Sequence, residues 1–488
     1  MGIADLLVII AYFVIVAAIG LYMKRRIKMN VDYALAGRNL NMPLTLGTLV
    51  ATQIGADTIM GRGGMTWQYG AAIQWGGIAF FIGYVLYSRF AVKLRRSNVW
   101  TAPEVLERRY GLTTKRISSI ILVLAIIGVY GAQLIASGII FQIAGDPFGI
   151  SYRNSILIAG IILVAYTLLG GLWGVAYTDW IQFLILYPVF GFILPLIIFN
   201  KVSFSDMRIA LDPMMFNFWQ GVPFQLILGM LATYIPLVIC DPTIWQRTMS
   251  AKNEKIAKWS PLYAGLLYLY ISIMVTLMGL AGRILLPNIV SEYGTADYTI
   301  PVMMAKYLPG VVIGLGLAGI LAVCMSTASG CLLMGAVITS KDLIPSWTGR
   351  KLTQAQELKL SRVTTIVIGI LGIIFALTFK GIFWILLVAY GIFLGGMFFP
   401  VLLGLFWKKA TPMAAYISIP VSSLVLLVYY AIGKPFGIQP IVPALLVSLI
   451  LMVVISWITY KEDKATLPIL AQTQSEQLQG QENTRGDS

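Results

Sequence analysis

Three groups of residues have the types and spacing to do chemistry, and all three lie in apolar surroundings. The first is the run Ala51-Thr52-Gln53-Ile54-Gly55-Ala56-Asp57, followed by Gly61, Gly63 and Gly64. The second is Cys240-Asp241-Pro242, and the third is Ser326-Thr327 with Ser329 in the stretch LAVCMSTASGCLLMGAVITSKD. Glycine and proline weaken helices, and main chain that leaves the helix inside a bilayer is costly unless it lines a cavity or packs within protein. Freed carbonyls beside two neighbouring hydroxyls make a set of hard oxygen ligands, which suits a small monovalent cation. A carboxylate at mid-membrane costs about 2.5–3.5 kcal/mol on insertion scales, so Asp57 and Asp241 are expected to be paired or functional. The plainer alternatives are a glycine-rich packing face, a proline kink with Asp241 capping the next turn, and hydroxyls bonding back to a carbonyl one turn earlier.

Other chemistries lack their residues. The chain has no His, which removes the commonest metal ligand and general base and leaves no Cys/His set with zinc spacing. There is no phosphate-binding loop. Cys240, Cys324 and Cys331 all fall in apolar stretches, so no extracellular disulfide is expected. With no catalytic constellation to name, the chain does not read as an enzyme.

The elements that must position these residues follow from composition. Of the 488 residues, 58% are hydrophobic and 11% charged, against about 25% charged in soluble domains. The apolar residues fall in thirteen stretches long enough to cross a bilayer, at 4–23, 43–70, 71–92, 117–143, 155–171, 180–200, 222–244, 260–286, 309–340, 363–379, 382–407, 411–432 and 439–460. The expectation is an all-α polytopic membrane protein with 13 transmembrane helices. Asp5 stands at the start of the first span and Lys24, Arg25, Arg26 and Lys28 follow it. A signal peptide has the opposite polarity, so the first span is expected to stay, with its N-terminus outside and the C-terminus in the cytoplasm. On that path 26 of the 35 Lys and Arg fall in cytoplasmic segments and six in outer loops, as the positive-inside rule requires. The net charge of +15 therefore marks a cytoplasmic face and not a nucleic-acid partner. The two interrupted spans stand five apart, so they cross in opposite directions, as an inverted repeat requires.

At these residues the sequence resembles the sodium/solute symporter family, over roughly 5–460. The marks are LAGRNLNMP, ATQIGAD, GGLWGVAYTDWIQ, MSTASGCL and PVLLGLFWKKATPMAA. The resemblance implies a LeuT-like fold with a ten-helix core of two inverted five-helix repeats, one extra N-terminal helix and two C-terminal ones. It divides the chain into an N-terminal helix and connector (1–42), a first repeat (43–200), a second repeat (201–410), two C-terminal helices (411–464) and a disordered cytoplasmic tail (465–488). It also implies secondary active transport with Na+ as the coupling ion. The sodium would sit on the carbonyls of Ala51, Ile54 and Val323 and the hydroxyls of Ser326 and Thr327. Some members bind a second sodium, which here would use Asp179 of the YTD motif with Ser326 and Thr327. Asp179 followed three residues on by Gln182 also reads as a helix-capping box.

The same resemblance places the solute among Gln53, Asp57, Thr58, Trp75, Tyr130, Gln133 and Asp241. Where sugar-transporting members keep a Tyr-Glu pair, this chain has Gly76-Gly77, which disfavours a sugar. The pattern AT-x-x-G, the VAYTD stretch and Trp245-Gln246-Arg247 resemble the choline-transporting branch, which holds its solute by cation–π attraction. Two carboxylates facing one cavity favour an amine, a zwitterion or another nitrogenous solute. The alternatives are a proton-coupled carrier of the same fold and a non-transporting sensor or channel. The implied partners are a small solute, sodium and the lipid bilayer. Short loops point to a bacterial inner membrane, and the oligomeric state stays open.

Overall fold

The computed structural model describes residues 3–23, 25, 29–97, 99–145, 149–350, 352–379 and 382–461. The tail at 465–488 lies outside the described residues. Ten helical stretches among those described are long and apolar enough to cross a bilayer. The remaining expected spans are present as shorter apolar pieces or as one half of an interrupted helix, so the thirteen crossings are not reproduced as thirteen continuous helices.

The helices that matter for the site are these. Helix α1 spans Ile3–Met23, α2 Met42–Gln53, α3 Arg62–Tyr69 and α4 Trp75–Arg96. Helix α5 spans Ala102–Tyr110, α6 Leu112–Gly145 and α7 Tyr152–Pro188. Helix α8 spans Phe224–Cys240, α9 Pro242–Ser250, α10 Glu254–Leu285 and α11 Gly310–Val337. Helix α12 spans Gln354–Thr378 and α13 Ile382–Phe406. The helix beginnings are written in the sequence. Asn41 accepts from Leu44 N–H at the head of α2, Thr101 from Glu104 N–H at α5, and Asn253 from Ile256 N–H at α10. Such caps satisfy donors that a helix leaves unpaired.

The stretch from Leu317 to Val337, in α11, is buried on every side. Its apolar residues have no polar face to set against water, which is the pattern of a helix enclosed by others. Helix α7 kinks at Gly171, where φ is +50°. The sequence 172–179, expected to be a loop between spans, is helical in the structure.

Two helices stop inside the apolar layer. Helix α2 ends at Gln53, where Ile54 turns to ψ 82°, and a π turn over Asp57–Gly61 leads into α3. Helix α8 ends at Cys240, and Asp241 at ψ 116° separates it from α9. The start of α2 and the end of α9 share one face of the molecule. Leu40 N–H donates to Ser250 O at 2.9 Å and Lys252 N–H to Leu40 O at 2.8 Å. The two interrupted helices therefore run in opposite directions.

That same face gathers basic residues. Arg95 donates to Ala251 O at 2.7 Å, Arg96 pairs with Glu254 at 2.6 Å and Arg116 donates to Ser346 O at 2.8 Å. Arg109 donates to the carbonyls of Lys408 and Ala410 at 2.8 and 2.9 Å. Residues assigned to cytoplasmic segments from the sequence thus meet on one side. Arg247 is a correction. A span ending at 244 places it in a cytoplasmic segment, but the helix continues to Ser250 and Arg247 is wholly buried.

Candidate functional site

The break in α2 is held open by its neighbours. A Cβ on Gly55 would lie 2.9 Å from Asp57 Oδ1 and 3.2 Å from Thr327 Oγ1, so only glycine leaves room for those two oxygens. Against the freed main chain stand the hydroxyls of α11. Ser326 Oγ donates to Ala51 O at 2.6 Å and to Val323 O at 3.0 Å. Thr327 Oγ1 donates to Thr52 O at 2.7 Å and to Val323 O at 3.3 Å. Both hydroxyls bond back to Val323, as the plainer alternative had it, but each also crosses to α2. All of these residues are buried.

Ala51, Val323, Ser326 and Thr327 are therefore brought together around one point. Ile54 is buried in the adjoining non-helical stretch, and the hydroxyls bond the carbonyls of Ala51 and Thr52 instead of its own. Thr52 O is a member that sequence reasoning missed. The signal was available, since Thr52 follows Ala51 by one residue in the last turn of α2.

A cavity adjoins this cluster. Thr52, Gln53, Gly55 and Asp57 line it from the first interrupted helix, Asp241 and Thr243 from the second, and Thr327 from α11. Tyr390 and Phe393 of α13 supply its aromatic wall. Asp241 caps α9 through Thr243 N–H at 2.6 Å and Ile244 N–H at 3.4 Å. Its second oxygen accepts from Gln53 Nε2 at 3.3 Å, and Gln53 Nε2 also reaches Thr243 Oγ1 at 3.0 Å. The cap and the cavity wall are thus the same carboxylate.

Of the seven expected solute positions, Gln53, Asp57 and Asp241 line this cavity. Gln133 sits beside it: its Oε1 accepts from Ala56 N–H at 3.0 Å, and its Nε2 lies 3.4 Å from where a Gly55 Cβ would be. Thr58 faces α10, with its hydroxyl 3.0 Å from Tyr268 Oη. Tyr130 packs its ring on Gly372 of α12. Trp75 donates its indole N–H to Phe218 O at 2.9 Å and lies against Trp219. These last three stand outside the cavity lining. Arg62 is buried outside the cavity lining, donating to Ile73 O at 3.1 Å and to Tyr268 Oη, the partner of Thr58, at 3.4 Å.

Asp179 lies within α7, so the capping-box reading is overturned. Gln182 does not return to a helix start and donates instead to Tyr12 Oη at 2.8 Å. The Asp179 carboxylate accepts a short hydrogen bond from Thr48 and one of 3.2 Å from Thr52, and Arg247 Nη2 lies 3.5 Å from it. Among the described residues no group of three or more His, Cys, Asp or Glu could hold a metal ion.

The geometry has counterparts among known proteins. The pattern of the sodium:solute symporter family matches residues 33–421. The osmoregulated proline transporter OpuE of Bacillus subtilis is 25% identical over 93% of this chain and 95% of its own length. The sodium/pantothenate symporter of Escherichia coli is 28% identical over 92% of this chain and 95% of its own. Among solved structures, a Na+-coupled sialic acid symporter in a substrate-bound, outward-open state superposes with a TM-score of 0.81 at 20% identity, covering 95% of this chain and 99% of that one. A nucleobase-cation-symport-1 family transporter in a closed conformation superposes with a TM-score of 0.61 at 14% identity, covering 91% and 98%. Both show a shared fold.

Proposed function

Given that this chain belongs to the sodium:solute symporter family, we propose that it carries a small amine or zwitterion, with one sodium held where the first interrupted helix meets α11. The chain is an integral membrane transporter and not an enzyme, with Na+ as its coupling ion and a small organic molecule as its solute.

The observation that carries the ion site is the pair of hydroxyls crossing from α11 to the end of α2, at 2.6 Å from Ala51 O and 2.7 Å from Thr52 O. Turning those hydroxyls so that their lone pairs face inward converts the cluster into a cage of carbonyl and alcohol oxygens. Ala51, Val323, Ser326 and Thr327 are its core, with Ile54 from the break. The orientation follows the basic face, which we assign to the cytoplasm; the N-terminus is then outside and the C-terminus inside.

The solute class follows from charge and from the aromatic wall. Asp57 and Asp241 line one cavity, repel an anionic solute and attract an ammonium group. Tyr390 and Phe393 offer π faces to the same group. Of the relatives described, the one named for proline, a zwitterionic amine, agrees with that class, while the one named for pantothenate, a carboxylate, stands against it.

Coupling follows from shared structure. Thr327 belongs to both the cage and the cavity wall, and Gly55 of that wall lies against it. Sodium bound to the α2 carbonyls would hold the break in the form that binds solute, and solute would tighten sodium by the same factor. One charge falling through 100 mV releases about 2.3 kcal/mol, and a tenfold sodium gradient adds about 1.4 kcal/mol. Together they support a few-hundred-fold accumulation of a zwitterion, roughly, with one sodium per cycle.

The test is purified protein in liposomes under an imposed sodium gradient, offered a panel of labelled amines, amino acids, sugars and nucleobases. Sodium-driven accumulation of an amine-bearing compound supports the reading. Accumulation of sugars alone overturns it.

A further inference from the structure

On the side of the molecule opposite the basic face, α13 meets two further helices, α14 (Pro412–Ala431) and α15 (Ile441–Thr459). Arg109 holds the chain just past the end of α13 on the basic face, so Trp384 at the start of α13 belongs to the other. A narrow cleft lies between the three helices. Trp384 and Leu387 line it from α13, Leu426 and Tyr430 from α14, and Lys434 and Gln439 from the connection to α15.

The connection is built to hold a cation. Lys434 N–H donates to Tyr429 O at 3.2 Å and Tyr429 Oη to Pro435 O at 2.6 Å. The Lys434 ammonium lies 4.6 Å from the ring centre of Trp384 and 5.2 Å from that of Tyr430, a cation–π arrangement. Among the described residues no carboxylate pairs with it. Gln439 is 6% exposed, and its stem fills the notch left by Gly229 of α8. Its buried Oε1 accepts no hydrogen bond among the described residues, which is costly for a polar atom away from water. The cleft therefore offers an unpaired positive charge at its mouth and an unpartnered acceptor at its floor.

The surroundings select the occupant. Trp384, Tyr430, Ile432 and Phe436 are exposed around the mouth, Phe436 by 88%. Aromatic and apolar side chains gathered about a lysine at the end of a span mark the headgroup level of a bilayer. A basic pocket between transmembrane helices at that level suits an anionic headgroup. We propose that this cleft binds one anionic phospholipid whose headgroup carries a hydroxyl, as phosphatidylglycerol does. The phosphate faces the Lys434 ammonium, the headgroup hydroxyl donates to Gln439 Oε1, and an acyl chain lies along Leu387 and Leu426. Rotation about the last torsion of Gln439, which is soft, turns Oε1 toward the cleft. The bound lipid ties α13, which carries Tyr390 and Phe393 of the solute cavity, to α14 and, through Gln439, to α8. The inference is independent of the ion and solute sites.

Energy transfer from tryptophan to pyrene-labelled lipids, added to the purified full chain in detergent micelles, tests it. Pyrene-labelled phosphatidylglycerol is expected to bind saturably, one per chain, and the phosphatidylcholine analogue to show no saturable binding. Equal binding of the two would overturn the inference. Phosphatidylmethanol, which keeps the phosphate and lacks the hydroxyl, separates the two contacts. Lys434→Gln is expected to weaken both anionic lipids by about fivefold or more, and Lys434→Arg to keep both. Gln439→Met is expected to weaken phosphatidylglycerol by about two- to tenfold and to leave phosphatidylmethanol unchanged, which also shows that the variant is folded. Parent-like binding of phosphatidylglycerol by either Lys434→Gln or Gln439→Met would contradict the assignment. Inorganic phosphate is expected not to displace the lipid; displacement would make this a site for free anions and overturn the lipid reading.

Discussion

Gln53 Nε2 lies 3.3 Å from Asp241 Oδ2, so the last residue of one interrupted helix is hydrogen-bonded across the cavity to the residue at the break of the other. The two breaks are thus one structural unit, and whatever enters the cavity meets both. Asp241 acts there as a helix cap and as a charge, and the two roles can be separated. Asn caps about as well as Asp, so Asp241→Asn is expected to leave thermal stability nearly unchanged while weakening amine binding by about ten- to a hundred-fold, the range of a charged hydrogen bond. Asp241→Ala is expected to show the same transport defect and to lose about 1 kcal/mol of stability as well. Sodium-driven uptake at graded solute concentration, with melting curves in detergent, checks both.

Asp57 gives an independent check on charge. Asp57→Asn keeps size and removes the anion, and is expected to raise the solute KM without altering the sodium count, since Asp57 faces the cavity and the cage rests on main-chain and hydroxyl oxygens. Normal transport by both Asp57→Asn and Asp241→Asn would end the amine assignment.

Gly55→Ala probes the space between cage and cavity. The added methyl would lie 2.9 Å from Asp57 Oδ1 and 3.2 Å from Thr327 Oγ1. Pushing Thr327 aside is expected to weaken sodium binding by about tenfold or more, equivalent to about 1.4 kcal/mol, and to raise the solute KM in the same variant because one hydroxyl serves both sites. Sodium titration of uptake reads the first effect and solute titration the second.

Much of this arrangement was legible in the sequence, and the boundary of legibility is physical. The interruptions at Ile54-Gly55 and Asp241-Pro242 could be read because glycine, proline and a carboxylate in an apolar run are local signals. The Ser326-Thr327 pair could be read for the same reason. What a residue meets across a helix interface depends on rotation about the helix axis, and that is not local. Val129 lines the cavity while Tyr130, one residue and about 100° further round, packs against Gly372 of α12. Tyr390 and Phe393 supply the aromatic wall from a helix whose apolar residues give no sign of which face turns inward. The Asp179–Arg247 pair was hidden because its partners come from α7 and α9, which only the fold brings together.

The orientation of the chain is open to direct labelling. Cys240, Cys324 and Cys331 are buried, so the parent protein should react little with a membrane-impermeant thiol reagent. Ser291→Cys, exposed beyond the end of α10 away from the basic face, is expected to label from outside intact cells. Lys252→Cys, exposed on the basic face, is expected to label only after the membrane is opened. The reverse pattern would invert the assignment.

The most direct test of the central claim is sodium binding to Ser326→Ala, Thr327→Ala and the double variant, measured on purified protein alongside sodium-driven uptake. Each single variant is expected to lose sodium affinity by about tenfold or more, and the double variant to lose both binding and accumulation while remaining folded. Unchanged sodium affinity and uptake in the double variant would contradict it.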